Sequence, residues 1–189
     1  MSRNGNPSAP YDHRPPRVYL TGFMGAGKST VGPILAETLG WSFLDTDHWI
    51  EKTTGISVPQ WILKSGEREF RRLESRAIQE MSNGPRQVIA LGGGALLSVE
   101  TLAWVKSQGW IIYLKAEVDS LVGRLSERAE QRPLLKKSGD QLDRGVLLQL
   151  FRKREVHYQK ADISIDTDGK DPGQIAGELR EWILRKVGS

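Results

Sequence analysis

The sequence predicts a three-layer α/β/α domain built on a five-stranded parallel sheet, on three observations. Short apolar, β-prone runs alternate along the chain with stretches whose apolar residues recur at helical spacing, the pattern that lays helices on both faces of a parallel sheet. Two of the runs, 88–91 and 110–114, are uninterrupted apolar text, as strands covered on both faces require. Finally, Gly22-Phe23-Met24-Gly25-Ala26-Gly27-Lys28-Ser29-Thr30 fits G-x-x-x-x-G-K-[ST], a phosphate-binding loop, and it falls between a candidate strand and a candidate helix.

The first strand is Arg17-Val18-Tyr19-Leu20, short and mostly apolar. The helix after the loop has apolar residues at 31, 34, 35 and 39, and Pro33 sits in its first turn, where a missing N–H costs little. Glycines at 22, 25 and 27 let the backbone curl with its N–H groups inward, an anion nest at a helix N-terminus. Lys28 adds a mobile positive charge for the outer phosphates, and the Ser29 hydroxyl can take a site on Mg²⁺. Gly25, Ala26, Gly27, Lys28, Ser29 and Thr30 are therefore candidate contacts for ATP or GTP.

A second strand, 41–44, runs into Asp45-Thr46-Asp47. Two carboxylates at the C-terminal edge of a strand lie where open α/β sheets bind ligands. Their spacing of two residues lets one face a metal and the other a second substrate; alternatively, Asp47 caps the helix that begins at His48. Ser57 caps a short helix through 61–63, with Pro59 in its first turn and Gly66 closing it. Phe70, Leu73, Ala77 and Met81 then form an apolar stripe. Arg71 and Glu74 lie beside that stripe at i, i+3, close enough to pair, either as a surface ion pair or as part of a site.

The third strand, 88–91, ends in Gly92-Gly93-Gly94, with no acid at its end of the kind motor ATPases use. Three glycines let a ligand approach bare N–H groups, although a tight turn would also use them. A helix from Ser98 to Gln108, closed by Gly109, leads to the fourth strand, 110–114, and a helix over 118–125 brings Arg124 and Arg128 onto one face. The polar, charged stretch 129–140 reads as a mobile lid over a nucleotide or as a plain surface loop. A helix over 146–158, an alternating strand at 162–166, a turn at 167–172 and a helix over 174–186 complete the chain.

Length and composition bound the function. The 189 residues suit one domain, expected over 17–188, after a disordered leader at 1–16 that lacks the apolar core of a signal peptide. Nothing approaches the ~20 apolar residues of a membrane span. The absence of Cys excludes disulfides and thiolate metal sites and suits a reducing cytoplasm. Net charge is +4, yet no basic run or basic–aromatic stripe marks a nucleic-acid surface. The Arg clusters at 68–76, 124–132 and 144–154 fit small polyanionic substrates equally well. The three His residues show no metal-ligand spacing.

Together the phosphate-binding loop, Asp45-Thr46-Asp47, Gly66-Glu67-x-x-Phe70-Arg71-Arg72-x-Glu74, Gly92-Gly93-Gly94, Arg132-Pro133-Leu134-Leu135 and Arg154-x-x-x-Tyr158 resemble the shikimate kinases, within the nucleoside-monophosphate-kinase-like P-loop proteins. The resemblance runs from Val18 to the last helix. It implies transfer of the γ-phosphate of MgATP to the 3-hydroxyl of shikimate, on the route to aromatic amino acids, by a cytoplasmic monomer with no nucleic-acid or membrane partner. It also implies roles. Lys28 and Ser29 serve phosphates and Mg²⁺, and Asp45 holds Mg²⁺ through water. Asp47, Arg71, Gly93, Gly94 and Arg154 hold shikimate, with Asp47 as base, both Arg on the carboxylate and Glu74 orienting Arg71. Arg132 reaches the transferring phosphate from a lid at about 128–140, Arg124 and Lys170 lie on the adenine side, and 46–82 forms the substrate-binding region. The rival readings are a nucleic-acid-stimulated ATPase, a relative that binds without catalysing, and another kinase of this fold such as gluconate kinase.

Overall fold

The computed structural model describes residues 17–126 and 144–187. The expectations for the leader at 1–16, for the lid at about 128–140 and for Arg128 and Arg132 lie outside the described residues. In order, the chain forms β1 (Arg17–Thr21), α1 (Lys28–Leu39), β2 (Ser42–Asp45), α2 (Thr46–Thr54), α3 (Val58–Ser65), α4 (Glu67–Met81) and β3 (Gln87–Ala90). A 3₁₀ turn at Ala95–Leu97 precedes α5 (Val99–Gln108), β4 (Trp110–Lys115), α6 (Val118–Ser126), α7 (Arg144–Tyr158), β5 (Ile163–Asp166) and α8 (Pro172–Val187).

The five strands form one parallel sheet in the order β2-β3-β1-β4-β5, as the alternation of strand and helix predicts. The two-residue period of β1 splits its side chains between the layers: Val18 and Leu20 join the core under α1, α6, α7 and α8, while Tyr19 joins the one under α4 and α5. Ile50, Phe70 and Ala77 make a smaller cluster among α2, α3 and α4, with Trp61 and Leu73 packed against it. Among the described residues no helix is long and apolar enough to cross a membrane.

The topology brings the motifs to one edge. From β1 the chain passes to β2, returns to β3 between them, then crosses to β4 on the other side of β1, so the strand order reverses at β1, where such sheets bind ligands. Leu20 and Asp45 are each in register with Ala90, so the phosphate loop, the acidic pair and the glycine triplet leave the sheet side by side.

Local signals account for most boundaries. Ser57 accepts from the Gln60 N–H while the Gln60 side chain accepts from the Ser57 N–H, a reciprocal cap that starts α3 with Pro59 in its first turn. Ser98 caps α5, and left-handed Gly40 and Gly55 close α1 and α2. One cap differs from the sequence reading. Asp45 caps α2, two residues before Asp47, because its carboxylate reaches the N–H groups of Asp47 and His48. Asp47, the candidate cap of the sequence reading, stands inside the first turn.

Candidate functional site

Residues 22–30 close over the start of α1, with Gly25 and Gly27 at φ of 84° and 95°, a left-handed backbone that side-chain-bearing residues rarely adopt. The Lys28 ammonium donates to the carbonyls of Gly22 at 2.8 Å and Phe23 at 3.2 Å, which folds it back over the loop. Ala26 is buried, whereas Ser29 and Thr30 are exposed at the mouth of the loop. The Ser29 hydroxyl donates to Asp45 Oδ2 at 2.8 Å, and Asp45 Oδ1 accepts the two α2 N–H groups. One carboxylate oxygen thus caps a helix and the other is tied to the phosphate loop. Ser29 Oγ and Asp45 Oδ2 are hard oxygen donors side by side, a set that suits Mg²⁺, which takes one or two protein oxygens and leaves the rest to water and phosphate.

Across the edge, each glycine of the triplet makes room for a different polar group. A Cβ on Gly92 would stand 2.2 Å from Glu74 Oε1 and 2.8 Å from Asp47 Oδ1. On Gly93 it would meet Arg154 Nη1 at 3.2 Å, and on Gly94 Arg71 Nη2 at 2.3 Å. The same place beside β3 therefore gathers two carboxylates and two guanidinium groups from α2, α4 and α7, far apart in the chain. At 92 and 94 those side chains occupy the space that a Cβ would take, and at 93 a Cβ would fit tightly. The Gly93 and Gly94 N–H groups have no hydrogen-bond partner among the described residues, as a loop meant to meet a ligand would leave them.

Arg71 donates from Nη1 to Glu74 Oε2 at 2.6 Å and from Nη2 to Glu67 Oε1 at 3.1 Å. The sequence left this pair open between a surface bridge and a site. Glu74 is 1% exposed, which decides against the surface. Phe70 and Ala77 point the same way into the small helical cluster, and Glu74 is drawn in with them. Arg154 lies with its guanidinium carbon 5.8 Å from the centre of the Phe23 ring, beside the phosphate loop. Arg71 Nε, Arg154 Nε and Glu74 Oε1 are buried without a hydrogen-bond partner among the described residues.

Burial pushes the Glu74 carboxyl up to about 7, and the nearby Asp47 charge adds to that, against the opposing pull of Arg71 and Arg154. In the unfolded chain the same group titrates near 4.5. Between these values the folded protein holds a proton that the unfolded chain has lost, so this group's contribution to stability falls as pH rises from about 4.5 to about 7. Thermal unfolding at pH 5 and pH 7.5 should show a larger loss over that window for the parent than for Glu74→Gln, which cannot ionise; equal losses would contradict it.

On the third side, Arg124 ties the phosphate loop to the β5–α8 turn. Its Nη1 donates to the Gly25 carbonyl at 3.3 Å and to Thr167 Oγ1 at 3.2 Å, and its Nη2 donates to Asp168 Oδ1 at 2.9 Å. Lys170 is held by both oxygens of Glu178, each at 2.8 Å, on α8. Of the sequence candidates, Lys28, Ser29, Asp45, Asp47, Arg71, Gly93, Gly94 and Arg154 come together at one edge, Arg124 flanks it, and Lys170, in the turn before α8, is paired with Glu178. Sequence reasoning missed Thr46, fully buried, whose Oγ1 accepts from the Gly92 N–H at 2.8 Å, and the Thr167–Asp168 seat of Arg124. A Thr between two acids at a strand end gave no periodic signal of its own.

Residues 24–184 match the family model described as shikimate kinase. The chain is 41% identical to the shikimate kinase of Chlorobaculum tepidum over 175 residues, 90% of this chain and 91% of that one. It is 40% identical to that of Persephonella marina over 162 residues, 86% and 95% of the two chains. The solved shikimate kinase from Acinetobacter baumannii in complex with shikimate superposes with a TM-score of 0.82 at 35% identity, covering 93% of this chain and 96% of that one. A gluconokinase from Sinorhizobium meliloti, at a TM-score of 0.62 and 17% identity over 91% of this chain and 94% of that one, shares the fold alone.

Proposed function

The chain belongs to the shikimate kinase family, and on that premise we propose that it transfers the γ-phosphate of ATP to the 3-hydroxyl of shikimate, giving shikimate 3-phosphate and ADP. The observation that carries this reading is the convergence of Asp47, Arg71 and Arg154 on the Gly92–Gly94 loop, one strand over from the phosphate loop. Two guanidinium forks suit a carboxylate, and a carboxylate beside them suits a hydroxyl that must lose its proton.

Each residue then has a task. The N–H groups of the 22–30 loop and Lys28 hold the phosphates and stabilise the charge that develops on them. Ser29 and Asp45 would hold Mg²⁺, which when bound neutralises phosphate charge. Arg71 and Arg154 take the carboxylate of the acceptor, and the N–H groups of Gly93 and Gly94 take its polar edge. Asp47 receives the proton of the 3-hydroxyl. The segment 128–140 closes as a lid, with Arg132 on the transferring phosphate and water kept out, since water would otherwise accept it. Arg124, and less directly Lys170, face the adenine side. The helices within 46–82 form the acceptor-binding region of a single domain spanning 17–188. The protein acts as a monomer in the cytoplasm, without nucleic-acid or membrane partners.

Incubation with MgATP and shikimate, followed by ³¹P NMR, tests the reaction: one new monoester resonance at position 3, matched mole for mole by ADP, is expected, and inorganic phosphate alone would overturn it. Lys28→Ala should lower kcat by ~10²–10³, the scale for one preorganised donor to a transition state, in a protein that unfolds at nearly the parent temperature. Near-normal turnover by that variant would remove the nucleotide site from this loop.

A further inference from the structure

We propose that Tyr158 is a positioning residue of the acceptor site, its hydroxyl fixing the Gly93 peptide while Thr46 fixes that of Gly92; the inference rests on the function proposed above. Three consecutive glycines are the stretch of backbone least able to hold a shape, because nothing but hydrogen bonds limits how their peptides turn. The loop has four such bonds. Thr46 Oγ1 accepts from the Gly92 N–H, and the Ala95 N–H donates to the Gly92 carbonyl at 3.0 Å. The Leu97 N–H donates to the Gly94 carbonyl at 3.1 Å, and the Tyr158 hydroxyl donates to the Gly93 carbonyl. Two of the four come from within the loop, so among the described residues Thr46 and Tyr158 tie it to the rest of the fold. What they leave open are the Gly93 and Gly94 N–H groups.

Tyr158 is well placed for the task. It lies one turn after Arg154 on α7, so one helix face delivers both side chains to the same glycine: a Cβ on Gly93 would be 3.2 Å from Arg154 Nη1 and 3.6 Å from the Tyr158 hydroxyl. The same point is 3.6 Å from the carbonyl of Gly22, the oxygen on which Lys28 rests, so Gly93 is also where the acceptor loop meets the phosphate loop. The ring is 2% exposed and lies against Tyr113, with centroids 5.2 Å apart, so it is locked by packing. A carbonyl can only accept, so the hydroxyl must keep its proton, and burial raises its pKa far above the ordinary phenol range.

Steady-state kinetics of the full chain, with shikimate and ATP varied separately, test this. Tyr158→Phe keeps the ring on Tyr113 and removes only the hydroxyl. It should raise KM for shikimate roughly three- to tenfold, the scale of one net hydrogen bond, with KM for ATP within about twofold of the parent. Thr46→Val should shift the same constant in the same direction, and Thr46→Ser, which restores the hydroxyl, should return it; side chains that merely fill space would not follow the hydroxyl. A Tyr158→Phe protein with less than a threefold rise for shikimate, or with equal rises for both substrates, overturns the inference. Should Tyr158→Phe fail to fold, the Thr46→Val and Thr46→Ser pair decides by the same criterion. If the parent does not phosphorylate shikimate, the functional reading falls and takes the inference with it; if it does, a negative result counts against the inference alone.

Discussion

Asp47→Asn should lower kcat by ~10²–10⁴, the contribution of a positioned general base, while KM for ATP and for shikimate changes little. The smaller end is expected, because a loose phosphoryl-transfer transition state leaves the hydroxyl proton in place until late. The structure makes this a clean experiment. Asp45, not Asp47, caps α2, so the substitution leaves that cap in place. Asn keeps the shape of the group beside Gly92 and loses the charge and the ability to take a proton. A folded Asp47→Asn protein within tenfold of parental kcat would show that another group accepts the proton.

Arg154→Ala and Arg71→Ala should each raise KM for shikimate by one to three orders of magnitude, since leaving a carboxylate without its charged partner in a closed site costs ~2–5 kcal/mol. ATP binding should hardly change. The two variants are not equivalent. Arg71 is the ion-pair partner of a carboxyl that is 1% exposed, so its loss also strands Glu74 and should lower stability. Arg154 rests on the Phe23 ring, and no ion pair with it is seen among the described residues, so its substitution reads acceptor binding more directly. Lys at either position should rescue poorly, because a point charge cannot reproduce the fork. Separate titrations with shikimate and ATP check the map, and parental shikimate binding in both Ala variants would move the acceptor site elsewhere.

The capping residues Ser57 and Ser98, the closing glycines and the apolar runs of β1, β3 and β4 are local devices, so their elements were legible in residue order alone. The strand order was not legible, because pairing joins strands far apart in the chain and leaves no local signal. Two local readings stayed open for one cause. Asp47 could face a substrate or cap a helix, and Arg71–Glu74 could be a surface pair or part of a site, since spacing along a helix says which residues share a face but not what lies opposite. In three dimensions Gly92 lies opposite Asp47 and Glu74, and without a Cβ it admits two carboxylates to one place. The reach of Asp45 back to Ser29 and the seat of Arg124 on Thr167 and Asp168 join residues 16 and 43–44 positions apart, which no periodicity records. Arg132 was legible only through resemblance, and it lies outside the described residues.

This edge of the sheet should select shikimate, a ring acceptor that holds its carboxylate and its 3-hydroxyl at one fixed span. ADP release measured with MgATP and, in turn, shikimate, gluconate, nucleoside monophosphates or water alone tests it most directly. Shikimate should support turnover with kcat/KM at least ~10²-fold above any other acceptor, because nucleoside monophosphates lack the carboxylate and the open chain of gluconate does not hold carboxylate and hydroxyl at a fixed span, and water should support almost none. Equal or faster release with gluconate, with a nucleoside monophosphate or with no acceptor would contradict the account.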